Sequence, residues 1–200
     1  MNLWNLRDMD AVGGHDTEIV GLPRQIESDA GTAVEFDGVG DALVVGANPL
    51  AGLERFTAEV IFQPYTGGLS EQRFFHVQEN GSENRLLFET RLTDSNEWIL
   101  DAFIRVDDRG YVLFDQDSRH AIGPWYHVAI VVSDGLFRSY TNGELELETE
   151  IDFVAQKQGK TSLGVRMNRV CWYKGAILCV RFSPQPLAPD GFLSSQTSTT

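Results

Sequence analysis

The residues with the clearest chemical potential lie in the middle of the chain, where carboxylate, arginine and histidine side chains recur at every second position. Side chains two positions apart in a β-strand point to the same face of a sheet. If the segments around residues 59, 76, 89 and 103 are neighbouring strands, their polar side chains assemble on one face. This predicted face comprises Glu59, Gln63, His76, Glu89, Arg91, Asp101, Phe103 and Arg105.

The predicted face suits a polyhydroxyl or carboxylated ligand. Guanidinium groups form paired hydrogen bonds with carboxylates and with pairs of hydroxyls. An aromatic ring such as that of Phe103 can stack on the apolar face of a sugar. The alternative is a solvated, salt-bridged sheet, in which each cross-strand charge pair contributes only tenths of a kcal/mol.

A second polar cluster lies near the C-terminal end of the chain. Arg166 and Asn168 alternate along a short segment, and the aromatic pair Trp172 and Tyr173 follows. These side chains could reach the same concavity, with Asn168 and Arg166 forming hydrogen bonds and an aromatic ring stacking. The alternative is a loop rim that carries a surface aromatic pair.

Two enzymatic chemistries are compatible with these residue types. Glycoside hydrolysis needs two carboxyl groups about 5–5.5 Å or about 6.5–9.5 Å apart, and the acidic residues could pair across strands. A uronate lyase needs Arg or Gln beside the carboxylate and His and Tyr for proton transfer; His76, Gln72, Arg91 and Tyr140 supply those types. The candidate catalytic residues are Glu59, His76, Glu89 and Asp101. The sequence leaves open whether the protein is an enzyme.

The sequence favours neither a metal nor a cofactor. The four histidines lack metal-ligand spacing, and we expect His127 to be a hydrogen-bonded histidine beside the core. Asp37 and Asp41 are weak candidates for a calcium site, and they could equally build a turn. Cys171 and Cys179 are expected to be reduced thiols.

The charge balance excludes some partners. The chain has 16 Lys and Arg against 29 Asp and Glu, a net charge of −13. Phosphate neutralisation needs a basic surface, so we expect no nucleic-acid partner and no docking on anionic membranes. No apolar run reaches the roughly 18 residues of a membrane span. We assign most of the acidic residues, including those of Glu144 to Glu150, to solubility.

The elements that must position these residues are strands. Ten or more short strands alternate with turn-forming residues, and the one helix candidate is Leu187 to Leu193. This pattern predicts an all-β fold, either a β-sandwich or a barrel. Its 200 residues fit a single domain, 1–200, with an N-terminal lead-in at 1–30 and a frayed tail at 194–200.

Three segments together resemble a known family. Residues 31–45, GTAVEFDGVGDALVV, are similar to the opening segment of laminin-G-like domains. The Trp-Tyr-His-Val-Ala, Asp-Gly and Tyr-Thr-Asn-Gly elements of residues 125–143 resemble their central hairpin. Residues 173–182 with the Pro-Leu-Ala-Pro of 186–189 resemble their closing segment. The resemblance spans residues 31–193, in the family's order.

This resemblance to the laminin-G-like branch of the concanavalin A-like lectin/glucanase superfamily implies an all-β, antiparallel two-sheet β-sandwich with a jelly-roll topology. It also implies a concave sheet face, which in the family often binds saccharides. The family often holds calcium with an Asp that follows Gly-x-Ile in the closing segment. Here that position is Leu178, which cannot ligate calcium, so we expect no calcium.

We therefore predict a carbohydrate-binding domain whose concave sheet holds the saccharide. The alternatives are a polysaccharide-active enzyme on the same face, either a glycoside hydrolase or a uronate lyase, and a protein-interaction module that uses its loops. The protein is expected outside the cytoplasm if a signal peptide has been removed, and in the cytoplasm otherwise. The oligomeric state is open.

Overall fold

The computed structural model describes residues 2–194, which form strands and two single 3-10 turns, Val12–Gly14 and Pro189–Gly191. The strands are β1 (Asn2–Asn5), β2 (Thr17–Val20), β3 (Arg24–Ser28), β4 (Gly31–Asp37), β5 (Ala42–Val45), β6 (Phe56–Pro64), β7 (Glu71–Glu79), β8 (Arg85–Leu92), β9 (Glu97–Val106), β10 (Arg109–Ala121), β11 (Tyr126–Ser133), β12 (Leu136–Thr141), β13 (Glu144–Glu150), β14 (Gly159–Leu163) and β15 (Lys174–Ser183).

The strands form two antiparallel sheets that pack face to face. The first sheet has the order β13-β12-β11-β6-β15-β4-β3, and β1 also pairs with β15. The second sheet has the order β10-β9-β8-β7-β14-β5-β2. The predicted all-β, two-sheet jelly-roll sandwich is confirmed. Among the described residues, no helix is long and apolar enough to cross a membrane.

The core between the sheets is aromatic. Alternate residues of β6, from Phe56 to Phe62, are buried and face inward. The ring of Phe62 stacks on that of Phe74 from the second sheet, with centroids 4.2 Å apart, and contacts Trp98 edge-on. Burying each such ring contributes about 1.5–3 kcal/mol to folding. The core thereby fixes how the strands of the two sheets are placed.

Several predicted elements differ from the observed ones. The lead-in at 1–30 contributes three strands, β1, β2 and β3, which extend both sheets. The acidic segment Glu144–Glu150 is the edge strand β13; its Glu144, Glu148 and Glu150 are exposed, whereas Glu146 lies 2.6 Å from His120 Nε2. The predicted helix at Leu187 to Leu193 is the single 3-10 turn Pro189–Gly191. Of the predicted tail at 194–200, residues 195–200 lie outside the described part of the chain.

Replacing Phe74 by Ala should lower the free energy of unfolding by about 3–5 kcal/mol, because the change empties a fully buried position between the sheets. Chemical denaturation measures this loss. Leu22→Ala is the control, since Leu22 is 85% exposed, and its effect should stay within about 0.5 kcal/mol. A loss below about 1 kcal/mol for Phe74→Ala would contradict the packing described.

Candidate functional site

A pocket of about 250 Å³ lies on the outer face of the second sheet, which is the face turned away from the core. It is formed mainly by strands β7, β8 and β9, with one residue from β10 and one from the loop after β14. We call this the arginine pocket. Its lining residues are Arg73, Arg85, Leu87, Glu89, Arg91, Asp101, Phe103, Val112 and Arg166.

The register of the strands brings the charged residues together. Glu89 of β8 lies directly opposite Asp101 of β9 and opposite Arg73 of β7. Leu87 lies opposite Phe103 in the next row of the same face. Directly opposed side chains lie close enough to interact, so Glu89 sits at the centre of this polar row. The structure thus brings together four of the predicted residues on these strands: Glu89, Arg91, Asp101 and Phe103.

Arg73 was missed by the strand alternation because β7 contains a bulge. The register shifts between Arg73 and Phe75, so that both Phe74 and Phe75 point into the core. A bulge inserts one extra residue and reverses the alternation beyond it. Arg73 therefore shares the outer face with His76, whereas Gln72 turns inward and accepts a hydrogen bond from the Lys174 backbone N–H.

Two buried carboxylates lie at the centre of the arginine pocket. Glu89 and Asp101 are only 4% and 5% exposed. The Arg73 Nε–H donates to Glu89 at 2.7 Å, and Arg91 donates from Nε and Nη2 to one oxygen of Asp101 at 2.9 and 2.6 Å. The same Nη2 atom lies 3.4 Å from Glu89. These pairs offset the cost of removing the two charges from water.

Burial nevertheless dominates the protonation of both carboxyls. Burial raises the pKa of Glu89, and the hydrogen bond from Arg73 lowers it only in part, so the pKa stays above its ordinary value. Burial likewise raises the pKa of Asp101 more than the Arg91 hydrogen bond lowers it. The site therefore holds two carboxyls that protonate more readily than exposed ones.

Two further arginines carry charge that the pocket itself does not balance. Arg85 is 8% exposed, and its guanidinium lies 5.0 Å from the ring centroid of Phe103. Its Nη1 donates to Glu83, whose side chain is largely in solvent, and its Nε has no acceptor among residues 2–194. Within the same described range, the Arg166 guanidinium forms neither a hydrogen bond nor an ion pair.

His76 lies buried on this face and is uncharged. Burial, followed by the charges of Arg166, Arg85 and Arg73, lowers the pKa of His76 to about 3. Its Nδ1 accepts the Met167 backbone N–H at 2.9 Å, so the imidazole proton must be on Nε2. That Nε2 has no acceptor in the part of the chain that the structure describes. His76 is therefore a neutral donor and holds the loop that carries Arg166.

Glu59 and Gln63 do not lie on this face, contrary to the prediction. Both belong to β6, which is in the first sheet between β11 and β15. The prediction assumed that strands consecutive in sequence are neighbours, and the jelly roll instead sends β6 and β7 to opposite sheets. Gln63 donates to the carbonyl of Gly123, in the loop between β10 and β11.

Glu59 instead forms a buried ionic cluster on the outer side of the first sheet. It is fully buried, lies 2.9 Å from His127 Nε2, and accepts hydrogen bonds from Arg181 and from the Leu193 backbone N–H. Burial raises the pKa of Glu59, and the hydrogen bonds from His127, Arg181 and Leu193 together outweigh it, so the pKa is lowered. The cluster anchors the segment after β15 to the sheet and makes Glu59 a structural residue.

The second predicted cluster is only partly brought to the site. Tyr173 is fully buried in the core, where its hydroxyl donates to the Gln63 carbonyl at 2.7 Å, so its predicted stacking role is wrong. Asn168 is exposed and Trp172 is half-buried, and neither lines the arginine pocket. Arg105 lies opposite Arg85 on β9, outside the pocket lining, and donates to the Asp107 carbonyl at 3.1 Å.

The carboxylates of both calcium candidates, Asp37 and Asp41, accept hydrogen bonds from backbone N–H groups. The Asp37 Oδ1 atom accepts N–H groups of Val39, Gly40 and Asp41. Asp41 accepts the N–H groups of Leu22 and Asp37. Among residues 2–194, no group of three or more His, Cys, Asp or Glu side chains is arranged to hold a metal ion. Both carboxylates therefore close a turn, and this donor set does not fit calcium.

The two packed antiparallel sheets define a β-sandwich, and comparison with known proteins identifies the family. The Laminin_G_3 model, described as the concanavalin A-like lectin/glucanases superfamily, matches residues 37–190, and the chain belongs to this family. No curated protein matches the sequence.

Solved structures share this fold at low sequence identity. Domain 4 of AbnA, a GH43 extracellular arabinanase from Geobacillus stearothermophilus in complex with arabinotriose, superposes with a TM-score of 0.71 at 15% identity over 94% of each chain. The heptameric SAP-like pentraxin of Limulus polyphemus gives 0.63 at 16% identity, over 78% of this chain and 77% of its own. The Trypanosoma rangeli sialidase in complex with sialic acid gives 0.66 at 10%, over 94% of this chain and 31% of its own.

Glu59→Gln should lower the free energy of unfolding at pH 7 by about 3 kcal/mol or more, because it leaves Arg181 buried without its counter-charge. The folded pKa of Glu59 lies below its ordinary value of 4.5. Its contribution is therefore present above that value and is lost as the pH falls through the folded pKa. Denaturation from pH 7 to pH 3 should show the gap between wild type and variant shrinking below about pH 4.5.

The exposed Glu54 provides the matched control, and Glu54→Gln should follow the wild type at every pH. A gap between wild type and Glu59→Gln that stays constant, or grows, on acidification would contradict the role assigned to the cluster.

Proposed function

We propose that this protein is a carbohydrate-binding domain and that the arginine pocket on the second sheet holds the saccharide. The observation that carries the proposal is the combination in one pocket of guanidinium groups held in place, buried carboxylates and the half-buried ring of Phe103. Saccharide sites characteristically combine polar groups of fixed geometry with an apolar surface, because a sugar presents hydroxyl edges and C–H faces.

Each group has a distinct proposed role. Glu89 and Asp101 accept hydrogen bonds from sugar hydroxyls, while Arg73 and Arg91 keep these carboxylates in place and donate to ring or hydroxyl oxygens. Phe103 stacks on a sugar face. The ring lies against Gly110 on β10, where an added Cβ would be 3.1 Å from the ring. A glycine at this position therefore gives the Phe103 ring the space it occupies.

The known structures with the same fold support a saccharide ligand. Among them, an arabinanase domain is in complex with arabinotriose and a sialidase with sialic acid. The net charge of −13 argues against nucleic acid and anionic membranes as partners. A protein ligand bound through the loops is the rival, and it would not require Phe103.

Phe103→Ala should weaken binding to the saccharide identified on a glycan array by about tenfold or more, because the stacking surface is removed; tenfold corresponds to about 1.4 kcal/mol. Isothermal titration calorimetry with the best array ligand measures the loss. Leu145→Ala is the matched control, an exposed apolar side chain on the other sheet, and should leave the affinity unchanged. Equal affinities for wild type and Phe103→Ala would place the sugar elsewhere.

A specific observation also favours a second candidate, a glycoside hydrolase. Glu89 and Asp101 both contact the Nη2 atom of Arg91, at 3.4 and 2.6 Å, so these carboxyls lie close together, as in retaining glycosidases, where they are about 5–5.5 Å apart. Both also have a raised pKa, which a general acid needs. The argument against a glycoside hydrolase is that both carboxyls already form ion pairs with arginines, Glu89 with Arg73 and Asp101 with Arg91.

Incubation with neutral and acidic polysaccharides should release no new reducing ends and no unsaturated uronate if the domain only binds. Reducing-end and ultraviolet absorbance assays monitor the two reactions. Activity that disappears in Glu89→Gln, while saccharide binding persists, would establish catalysis at this face in place of binding alone.

A further inference from the structure

We propose that the arginine pocket selects an acidic saccharide and that the anionic group of the sugar, a carboxylate or a sulfate, is held between Arg85 and Arg166. This inference rests on the proposed carbohydrate-binding function and specifies its ligand class. It is carried by the excess of positive charge in the pocket and by donors there that lack an acceptor.

The lining of the pocket has an excess of positive charge, whereas the chain as a whole is negative. The lining includes four arginines, Arg73, Arg85, Arg91 and Arg166, against two carboxylates, Glu89 and Asp101. The whole chain, in contrast, carries −13. A concentration of positive charge in one concavity of an acidic protein creates a local potential that attracts anions.

The pairing pattern shows which arginines are available. Arg73 and Arg91 are engaged by the buried carboxylates and also by the exposed Glu71, which together neutralise them locally. Among the described residues, the ion-pair partner of Arg85 is the solvent-exposed Glu83, and solvent screens that pair. The Arg166 guanidinium has no hydrogen-bond or ion-pair partner within residues 2–194. The unbalanced charge is therefore concentrated on Arg85 and Arg166.

These two arginines also repel each other. Burial and then the charge of Arg166 lower the pKa of Arg85; Glu83 opposes this effect, Arg105 and Arg73 add to it, and the pKa stays below its ordinary value. An anion placed between Arg85 and Arg166 relieves the repulsion. A neutral sugar, which has no charge to offer, does not.

An unused buried donor points to the same ligand chemistry. The Arg85 Nε–H is buried beside the pocket and has no acceptor among the described residues. A buried donor left without an acceptor costs free energy, which a bound oxygen recovers. The planar fork of a guanidinium matches the two oxygens of a carboxylate or sulfate, so the orphan Nε–H and a neighbouring N–H can be satisfied together.

The ring of Phe103 argues for a sugar rather than a free inorganic anion. It lies 5.0 Å from the Arg85 guanidinium and is half-exposed to the pocket. An anion bound to Arg85 therefore lies beside the apolar face of Phe103, and the carbon skeleton of an acidic sugar can cover that face. Sulfate or phosphate alone would leave this surface unused.

The test compares trigalacturonic acid with its uncharged methyl ester by isothermal titration calorimetry on the wild-type chain. The acid should bind at least tenfold more tightly than the ester, and its affinity should fall as sodium chloride is raised. Arg166→Gln should weaken acid binding at least tenfold, so that the affinity for the acid falls towards that for the ester. Arg166→Lys, which keeps the charge, should restore part of the loss.

Arg55→Gln is the matched control, because Arg55 is an exposed arginine before β6 of the first sheet, and it should bind the acid like the wild type. Since Arg166 lies in a loop, its replacement leaves the strands intact. A sulfated trisaccharide in the same titration distinguishes the two anionic groups, and tight binding of either kind supports the proposal.

Three results would overturn the proposal. The first is equal affinity for the acid and its ester. The second is an Arg166→Gln variant that binds the acid as the Arg55→Gln control does. The third is sodium sulfate alone binding as tightly as the acidic sugar. If neutral sugars still bind in the first two cases, the carbohydrate-binding function stands and only its selectivity fails; if no saccharide binds at all, the proposed function fails too.

Discussion

The buried carboxylates of Glu89 and Asp101 are the constraint on which the outer face of the second sheet depends. An ionised carboxylate removed from water is costly unless a cation is paired with it. Arg73 and Arg91 provide this pairing at 2.6–2.9 Å, which fixes their guanidinium groups against the sheet. The guanidinium groups that these two carboxylates leave unpaired are those of Arg85 and Arg166, and the proposed selection of an acidic ligand rests on them.

The core positions this face through a local irregularity in β7. The bulge that buries both Phe74 and Phe75 fills the space between the sheets, where Phe74 stacks on Phe62. The same bulge turns Arg73 outward, opposite Glu89. On the opposite side of the sandwich, Glu59, Arg181 and His127 anchor the final segment. Packing and ion pairing thus divide the charged residues between the arginine pocket and a structural cluster.

The sequence predicts the strands well because strand alternation is a local property, and the family resemblance correctly selects the two-sheet sandwich over a barrel. It also identifies Glu89, Arg91, Asp101 and Phe103 correctly as sharing a face, since β8 and β9 are joined by a short turn and are regular. It fails for Glu59 and Gln63 because sheet membership depends on long-range pairing, which local patterns do not encode. It fails for Arg73 because a bulge reverses the alternation, and for Tyr173 because aromatic composition does not distinguish a core ring from an exposed one.

The central claim is that unbalanced guanidinium groups on the second sheet recognise the charge of a sugar. A crystal structure of the protein with trigalacturonic acid tests it most directly. The account predicts a uronate carboxylate within hydrogen-bonding distance of both Arg85 and Arg166, with a sugar ring against Phe103. An oligosaccharide bound on the first sheet or at the loops, with the arginine pocket empty, would contradict it.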